Sequence, residues 1–214
     1  MSKDWTGVPA GVLNAATQRF WVSLGVHAGM VATRITIDPS YLEGLATFAV
    51  QSVANTEKKI LQPVYTLVTH AVAEFIAKDK FREGETTDGV SITRLGNNFE
   101  KNFLGKIEKN VGAAKLKSHN LLTAARDLSK DGESGIIPEL GGKHEIALTH
   151  FFQLLEYKQQ EKDFTWVVAY IVDKDGVLWT VSAGWGAGGD GWLVNAYSVV
   201  HSDRWDADRQ VVSR

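Results

Sequence analysis

Cysteine is absent from this chain of 214 residues. The absence excludes disulfide bonds, thiolate nucleophiles and cysteine-ligated metal centres. Long apolar runs are missing as well: the most apolar helical stretch, from Ile60 to Ala77, is interrupted by Gln62, His70 and Glu74. A segment of this polarity is not expected to cross a membrane as a helix. The composition therefore predicts that a membrane is not among the partners.

Neither sign of charge predominates in the sequence. The chain has 23 lysines and arginines against 25 aspartates and glutamates, a formal net charge of −2 at pH 7. This balance argues against a dedicated nucleic-acid or membrane-surface binder. The first residues, Met1 to Trp5, lack the basic and then apolar layout of a signal peptide, so we expect a cytoplasmic protein. The length suits one domain, which we place at residues 1–214.

Three strand-like runs occupy the last quarter of the chain. They extend from Phe164 to Val172, from Val177 to Trp185 and from Trp192 to Val200. The turn-forming segments Asp173 to Gly176 and Gly186 to Gly191 separate them. The pattern predicts an antiparallel β-meander.

The alternation of residue types also predicts how these strands pair. A four-residue loop at 173–176, with Gly176 in the left-handed conformation, places Tyr170 opposite Trp179. The glycine loop then places Trp185 opposite Trp192, and a shift of the first pair by one residue would turn Trp179 away from the apolar face. Helices should cover that apolar face, which includes Trp166 and Trp179. The opposite face is expected to be wet; its residues are Thr165, Thr180, Ser182, Asn195 and Tyr197.

Most of the chain before residue 160 shows helical spacing instead. Apolar residues recur every three or four positions from Asp38 to Val53, Ile60 to Phe75, Arg94 to Ser129 and Lys143 to Gln159. The sequence thus predicts an α+β fold, with a helical layer from residue 1 to about 160 packed on a meander of three to four strands at 161–214. A fourth strand at Arg209 to Ser213 would be an edge strand, and we expect it to be a pairing site for a second copy of the chain.

Aromatic side chains provide the first candidate binding surface. Trp185 and Trp192 flank the glycine loop, and Trp205 lies in the polar loop at 201–208. Tyr197 lies on the wet face, where it would line a shallow polar groove. Tryptophan and tyrosine are common at the energetic centres of protein interfaces. These four residues are the predicted contacts of a protein partner.

A lysine-rich segment provides a second candidate surface. Between Arg94 and Lys130 there are eight basic residues and three acidic ones. On a helix over 94–130, Lys106, Lys109 and Lys115 could contact an acidic protein or a nucleic acid. The ordinary alternative is a solvated helix face.

Catalytic chemistry has one candidate location in the sequence. His201, Asp203 and Asp206 form the densest cluster of acid–base groups and oxygen ligands. They suit a metal-dependent hydrolase or nuclease in which His201 is the general base. The simpler alternative is a loop whose carboxylates pair with Arg204 and Arg209. No convergent set of nucleophile, base and metal ligands occurs elsewhere, and no cofactor is expected. A non-enzymatic interaction protein is therefore the leading hypothesis.

Overall fold

The computed structural model describes residues 59–130, 132–188, 190–200 and 203–214. In these ranges the chain forms ten strands, four α-helices and one 3₁₀ turn at Gly141–Lys143. The strands are β1 (Leu61–Thr69), β2 (Val72–Ile76), β3 (Glu85–Thr87), β4 (Val90–Leu95), β5 (Ile107–Val111), β6 (Ala114–Leu121), β7 (Val167–Val172), β8 (Leu178–Trp185), β9 (Trp192–Ser198) and β10 (Gln210–Ser213). The helices are α1 (Ala77–Lys80), α2 (Asn97–Phe103), α3 (Ile136–Leu140) and α4 (Leu148–Gln160).

Eight of these strands form one mixed sheet. Its order is β1-β6-β10-β7-β8-β9-β4-β3, and β2 pairs separately with β5. The pairs β10–β7 and β4–β9 are parallel, whereas the other pairs in the sheet are antiparallel. Parallel pairs need a connection that crosses over the sheet, so strands from distant parts of the chain become neighbours.

The predicted helical layer is wrong for the described residues. The stretch expected as a helix from Ile60 to Phe75 forms β1 and most of β2. The stretch from Arg94 to Ser129 contains the end of β4, the short helix α2, β5 and β6. Pro63 is compatible with β1 because the register shifts between Pro63 and Tyr65, and proline is tolerated at such bulges. The helix expected at 143–159 is confirmed from Leu148 onward, as α4. The one expected from 38 to 53 lies outside the described residues.

The period of the pattern explains this error. Along β6, Lys115 and Lys117 are exposed while Leu116 and Ser118 are buried, which is the alternation of a strand. Apolar residues spaced three or four apart in a short segment fit a helix as well, so spacing alone does not separate the two structures.

The three strands predicted for the last quarter are present and adjacent, with one register right and one wrong, but they lie inside the eight-stranded mixed sheet and do not form a separate meander. Strands β7, β8 and β9 are consecutive antiparallel neighbours, and Trp185 lies opposite Trp192 as predicted. In the first hairpin, however, Trp179 lies opposite Ile171 and not opposite Tyr170. This shift by one residue moves every β7 side chain to the face opposite to the predicted one.

The turn after β7 accounts for the shift. The Asp173 N–H donates to the Val177 carbonyl oxygen at 2.8 Å, which leaves a loop of only three residues between them. Gly176 has the predicted left-handed conformation, with φ of 85°. One oxygen of the Asp173 carboxylate accepts from the Asp175 and Val177 N–H groups, at 2.8 and 2.9 Å. These side-chain hydrogen bonds favour the three-residue loop over the expected four-residue one.

Both faces of the sheet are buried along β7 and the middle of β8, so the predicted wet face is wrong there, whereas Asn195 and Tyr197 of β9 are half-buried. One face, called the apolar face here, packs Val167, Ala169 and Ile171 of β7 against α2 and α4. The other, called the polar face, carries Val168, Tyr170, Thr180 and Ser182. Thr180 and Ser182 are fully buried. The polar face is covered by α3 and by the chain around residues 125 and 205; the covering residues include Ala125, Ile136, Ile137, Leu140 and Trp205.

The C-terminal strand is also placed differently from the prediction. Residues 210–213 do form a strand, but β10 lies between β6 and β7 and is buried along its length. It is therefore not an edge strand, and the predicted pairing of a second copy along it is wrong. Within the described residues, β1 and β3 are the edges of the sheet.

The predicted single domain at 1–214 includes residues outside the described ranges, so it stays a prediction. Among the helices of the described residues, none has both the length and the apolar character needed to cross a membrane.

Candidate binding cleft

A buried carboxylate organises the polar face. Asp127, which is 3% exposed, accepts hydrogen bonds from the Tyr170 hydroxyl (2.7 Å), the Thr180 hydroxyl (2.8 Å) and the Trp205 indole N–H (2.8 Å). Burial, together with the negative charge of Asp127, raises the pKa of Tyr170 well above its usual value. Tyr170 therefore remains a hydrogen-bond donor, and Asp127 connects two strands of the sheet to Trp205.

Backbone hydrogen bonds hold Trp205 in the same place. The Trp205 N–H donates to the Ala125 carbonyl oxygen at 2.8 Å, and the Ala125 N–H donates back at 3.1 Å. The Trp205 ring meets the Tyr197 ring edge to face, with 5.4 Å between centroids. Trp205 is thus a fixed support for Tyr197.

Trp166 and Arg209 lie beside Trp205 on the polar face. The Arg209 guanidinium lies 4.6 Å from the centre of the Trp166 ring and 5.9 Å from that of Trp205, within the range of a cation–π contact. The Trp166 ring covers Gly184, where an added Cβ would lie 2.0 Å from a ring atom. Glycine is required at position 184 because the ring approaches the backbone closely.

A cleft of about 540 Å³ opens beside Tyr197. It lies between β9, the end of β4 and the beginning of α2. Its lining residues are Arg94, Gly96, Asn97, Asn98, Leu193, Asn195, Ala196 and Tyr197. The volume is within the range of roughly 300–1,000 Å³ that is usual for ligand sites.

The walls of the cleft are held together by hydrogen bonds and by one glycine. The Gly96 N–H donates to the Val194 carbonyl oxygen at 2.8 Å, and the Asn98 amide donates to the Ala196 carbonyl oxygen at 3.1 Å. A Cβ at position 96 would lie 2.1 Å from the Asn195 side-chain oxygen, so glycine allows β9 and the residues before α2 to approach. The cleft is therefore formed before any partner arrives.

The lining of the cleft is polar and carries one positive charge. Arg94 is the one charged residue in the lining, and the other polar side chains are three asparagine amides and one phenol. Amides donate and accept hydrogen bonds but do not ionise near neutral pH. Among the described residues, no three histidines, aspartates or glutamates lie close enough to hold a metal ion. The arrangement can recognise a polar ligand.

The predicted aromatic contacts lie on opposite faces of the sheet. Tyr197 lines the cleft, and Trp205 supports it from the polar face. Trp192 is fully buried in the apolar face, and Trp185 is half-buried beside it, stacked on Phe164 at 4.1 Å between centroids. The four residues therefore do not form one rim.

The predicted lysine surface is not a helix face. Lys106 donates to the Val172 carbonyl oxygen and lies 3.2 Å from the buried Glu108 carboxylate. That carboxylate accepts from the first N–H groups of α4, so Lys106 supports the start of this helix. Lys109 lies 3.5 Å from Glu74, and Lys115 is exposed on β6. Lys106 directly precedes β5, Lys109 lies on β5 and Lys115 lies on β6, so the three lysines do not share a helix face.

The candidate catalytic cluster is only partly described. His201 lies outside the described residues. Asp206 pairs with Arg209 at 2.6 Å, as the simpler alternative expected, and Asp203 is exposed. The hypothesis of a hydrolase or nuclease stays untested.

Most of the cleft is not apparent from the sequence. The alternation along β9 puts Asn195 and Tyr197 on one face, but the spacing around Arg94, Asn97 and Asn98 predicts a long helix. The usable signal was Gly96 followed by two asparagines, since this composition favours a break in regular structure. Comparisons with protein-family models, with curated proteins and with solved structures found no match to this chain.

Proposed function

We propose that this protein is a non-enzymatic binding protein that holds a segment of a partner protein in the cleft beside Tyr197. The observation that carries the proposal is a preformed cleft whose lining has amides, one guanidinium and a supported aromatic ring. Tyrosine and arginine dominate the energetics of protein interfaces, and amides match the donors and acceptors of a peptide backbone. We also propose that it acts in the cytoplasm.

The rigidity of the site supports this function. Hydrogen bonds fix Gly96 and Asn98 to β9, and Asp127 fixes Trp205 behind Tyr197. A site that is already ordered loses less conformational entropy when a partner binds. Two of its amides, on Asn97 and Asn195, make no hydrogen bond to the described residues and are available to a partner.

The test is a selection of phage-displayed random peptides on the full-length protein, followed by affinity measurements on variants. Selected peptides should bind the double variant Asn97→Ala, Asn195→Ala about tenfold more weakly, because two hydrogen-bonding groups are lost. Asn120→Ala is the matched control, since it removes the same group from β6, four strands away from β9. Equal affinities for wild type and the double variant would contradict the proposed site.

A further inference from the structure

The chemistry of the cleft points to a particular class of ligand. Building on the proposed function, we propose that the bound segment is acidic and that Arg94 holds one of its carboxylates.

The lining of the cleft carries a single positive charge and no negative one. Arg94 is exposed, and no carboxylate of the described residues lies within ion-pair distance of it. Glu83 lies nearby, but one of its oxygens accepts from the Leu95 N–H at 2.9 Å. Arg94 therefore makes no ion pair with a carboxylate of the described residues.

Arg94 differs in this respect from four other arginines. Each of those four contacts a carboxylate; the pairs are Arg82–Glu85, Arg126–Glu133, Arg204–Glu133 and Arg209–Asp206. A carboxylate is the natural partner of a guanidinium, because two parallel N–H groups match its two oxygens. Among the described arginines, Arg94 and the C-terminal Arg214 make no such pair, and of these two only Arg94 lines the cleft.

The neighbouring groups suit a carboxylate carried on an extended peptide. Arg94 lies opposite Leu193, at the end of β4, and Asn195 follows two residues further on the same face of β9. An amide N–H of Asn195 or Asn97 can donate to the same carboxylate, and the amide oxygens can accept from backbone N–H groups of the segment. A phosphate, which carries up to two negative charges, is usually held by a cluster of arginines, and here there is one.

The experiment compares peptides from the same selection. Peptides whose binding is weakened by the Asn97→Ala, Asn195→Ala double variant should be enriched in aspartate and glutamate. Replacement of the critical acidic residue by its amide should weaken binding about tenfold, and Arg94→Gln should have the same effect. The two changes combined should cost little more than either alone, because they remove one interaction. Lys117→Gln, which removes an exposed cation from β6, should leave the affinity within about twofold.

The failures of the two proposals can be told apart. Peptides that bind the Asn97→Ala, Asn195→Ala variant as well as wild type would overturn the proposed function and this inference with it. Peptides that depend on the cleft but are neutral, or that bind Arg94→Gln unchanged, would overturn only the acidic ligand. Binding that requires a phosphorylated residue would also overturn it. Thermal unfolding of Arg94→Gln checks that the variant is folded, and we expect it to match wild type because Arg94 is exposed.

Discussion

The two faces of the central sheet are built by different means. The apolar face is filled by closely packed phenylalanine rings, such as Phe81, Phe99 and Phe103, with centroids 4.8 and 5.1 Å apart. The polar face buries a carboxylate, hydroxyls and an indole N–H that are joined by directed hydrogen bonds around Asp127. Ring packing is sensitive mainly to the volume of the side chains, whereas a hydrogen bond also requires a defined distance and angle between donor and acceptor.

The difference explains where the candidate cleft lies. Tyr197 rests against Trp205, and Trp205 is positioned by Asp127, so the polar face determines the geometry of the cleft. The apolar face, on the other side of the sheet, contributes mainly to the stability of the fold. We therefore expect variants of the apolar face to change the free energy of unfolding most, and variants near the cleft to change binding most.

The largest effect on stability is expected for Phe99→Ala. Phe99 is fully buried between Phe81 and Phe103, so its removal leaves a cavity in the apolar face. We expect a loss of about 4 kcal/mol in the free energy of unfolding, measured with urea. Phe164→Ala is the matched control at a ring that is 38% exposed, and its cost should be clearly smaller. Similar costs for the two variants would contradict the difference in burial.

Asp127→Ala should have the next largest effect, because it leaves three donors without their acceptor, and two of them, the Tyr170 and Thr180 hydroxyls, are fully buried. We expect a loss of about 3 kcal/mol and a change in tryptophan fluorescence as Trp205 is released. Asp127→Asn should reduce the free energy of unfolding by less than Asp127→Ala does. Its side-chain oxygen can still accept from Tyr170 and Trp205, which both donate to the same oxygen of Asp127. If the asparagine variant were as unstable as the alanine variant, the negative charge and not the hydrogen bonds would organise the polar face.

A charged pair on the side of the apolar face should make stability depend on pH. The buried Lys158 amine donates to Asp163 at 2.6 Å and to Gln210 at 2.9 Å. Burial by itself would raise the pKa of Asp163, but hydrogen bonds from Lys158 and Thr165 lower it below its usual value. Burial lowers the pKa of Lys158, and Asp163 partly opposes that shift.

Asp163→Asn tests this pair. The folded protein lowers the pKa of Asp163 from its ordinary value of 3.8. The ionised Asp163 carboxylate therefore contributes fully to stability above pH 3.8, and this contribution is lost as the pH falls below that value. We expect the variant to be less stable by about 2 kcal/mol at pH 7, less than for a fully buried pair because Asp163 is partly exposed. The difference from wild type should decrease below about pH 4. A difference that stayed constant down to pH 2 would show that the charge of Asp163 is not involved.

The smallest effect on stability is expected at the cleft itself. Arg94→Gln and Lys117→Gln each remove an exposed cation, so each should change the free energy of unfolding by less than about 0.5 kcal/mol. Only Arg94→Gln should weaken binding of an acidic peptide. A large loss of stability in Arg94→Gln would mean that this residue supports the fold and is not free for a ligand.

The hairpins illustrate how far sequence patterns predicted this fold. The register of β8 against β9 was predicted correctly, because alternating side chains between two tryptophans leave one consistent pairing. The register of β7 against β8 was wrong by one residue. Both faces of β7 are buried, so its near-continuous apolar run carries no alternation to select a face, and the Asp173 side chain determined the loop.

The candidate site was predicted only in part for a related reason. Tyr197 and Asn195 share a face of one strand, which local alternation reveals. Arg94 and Asn98 reach them through the parallel pairing of β4 with β9, which lies about a hundred residues further along the chain. Pairing at this sequence separation leaves no local pattern.

The sequence by itself determined the local structure of the last quarter: the three strands, the left-handed Gly176 and the helix α4 before them. These features depend on turn chemistry and side-chain periodicity within a few residues. Only the tertiary structure decided that β10 lies inside the sheet, that both faces of β7 are covered, and that Arg94 and Tyr197 line the same cleft. These features depend on which distant strands pair, and that choice is made by the burial of the whole sheet and not by any single segment.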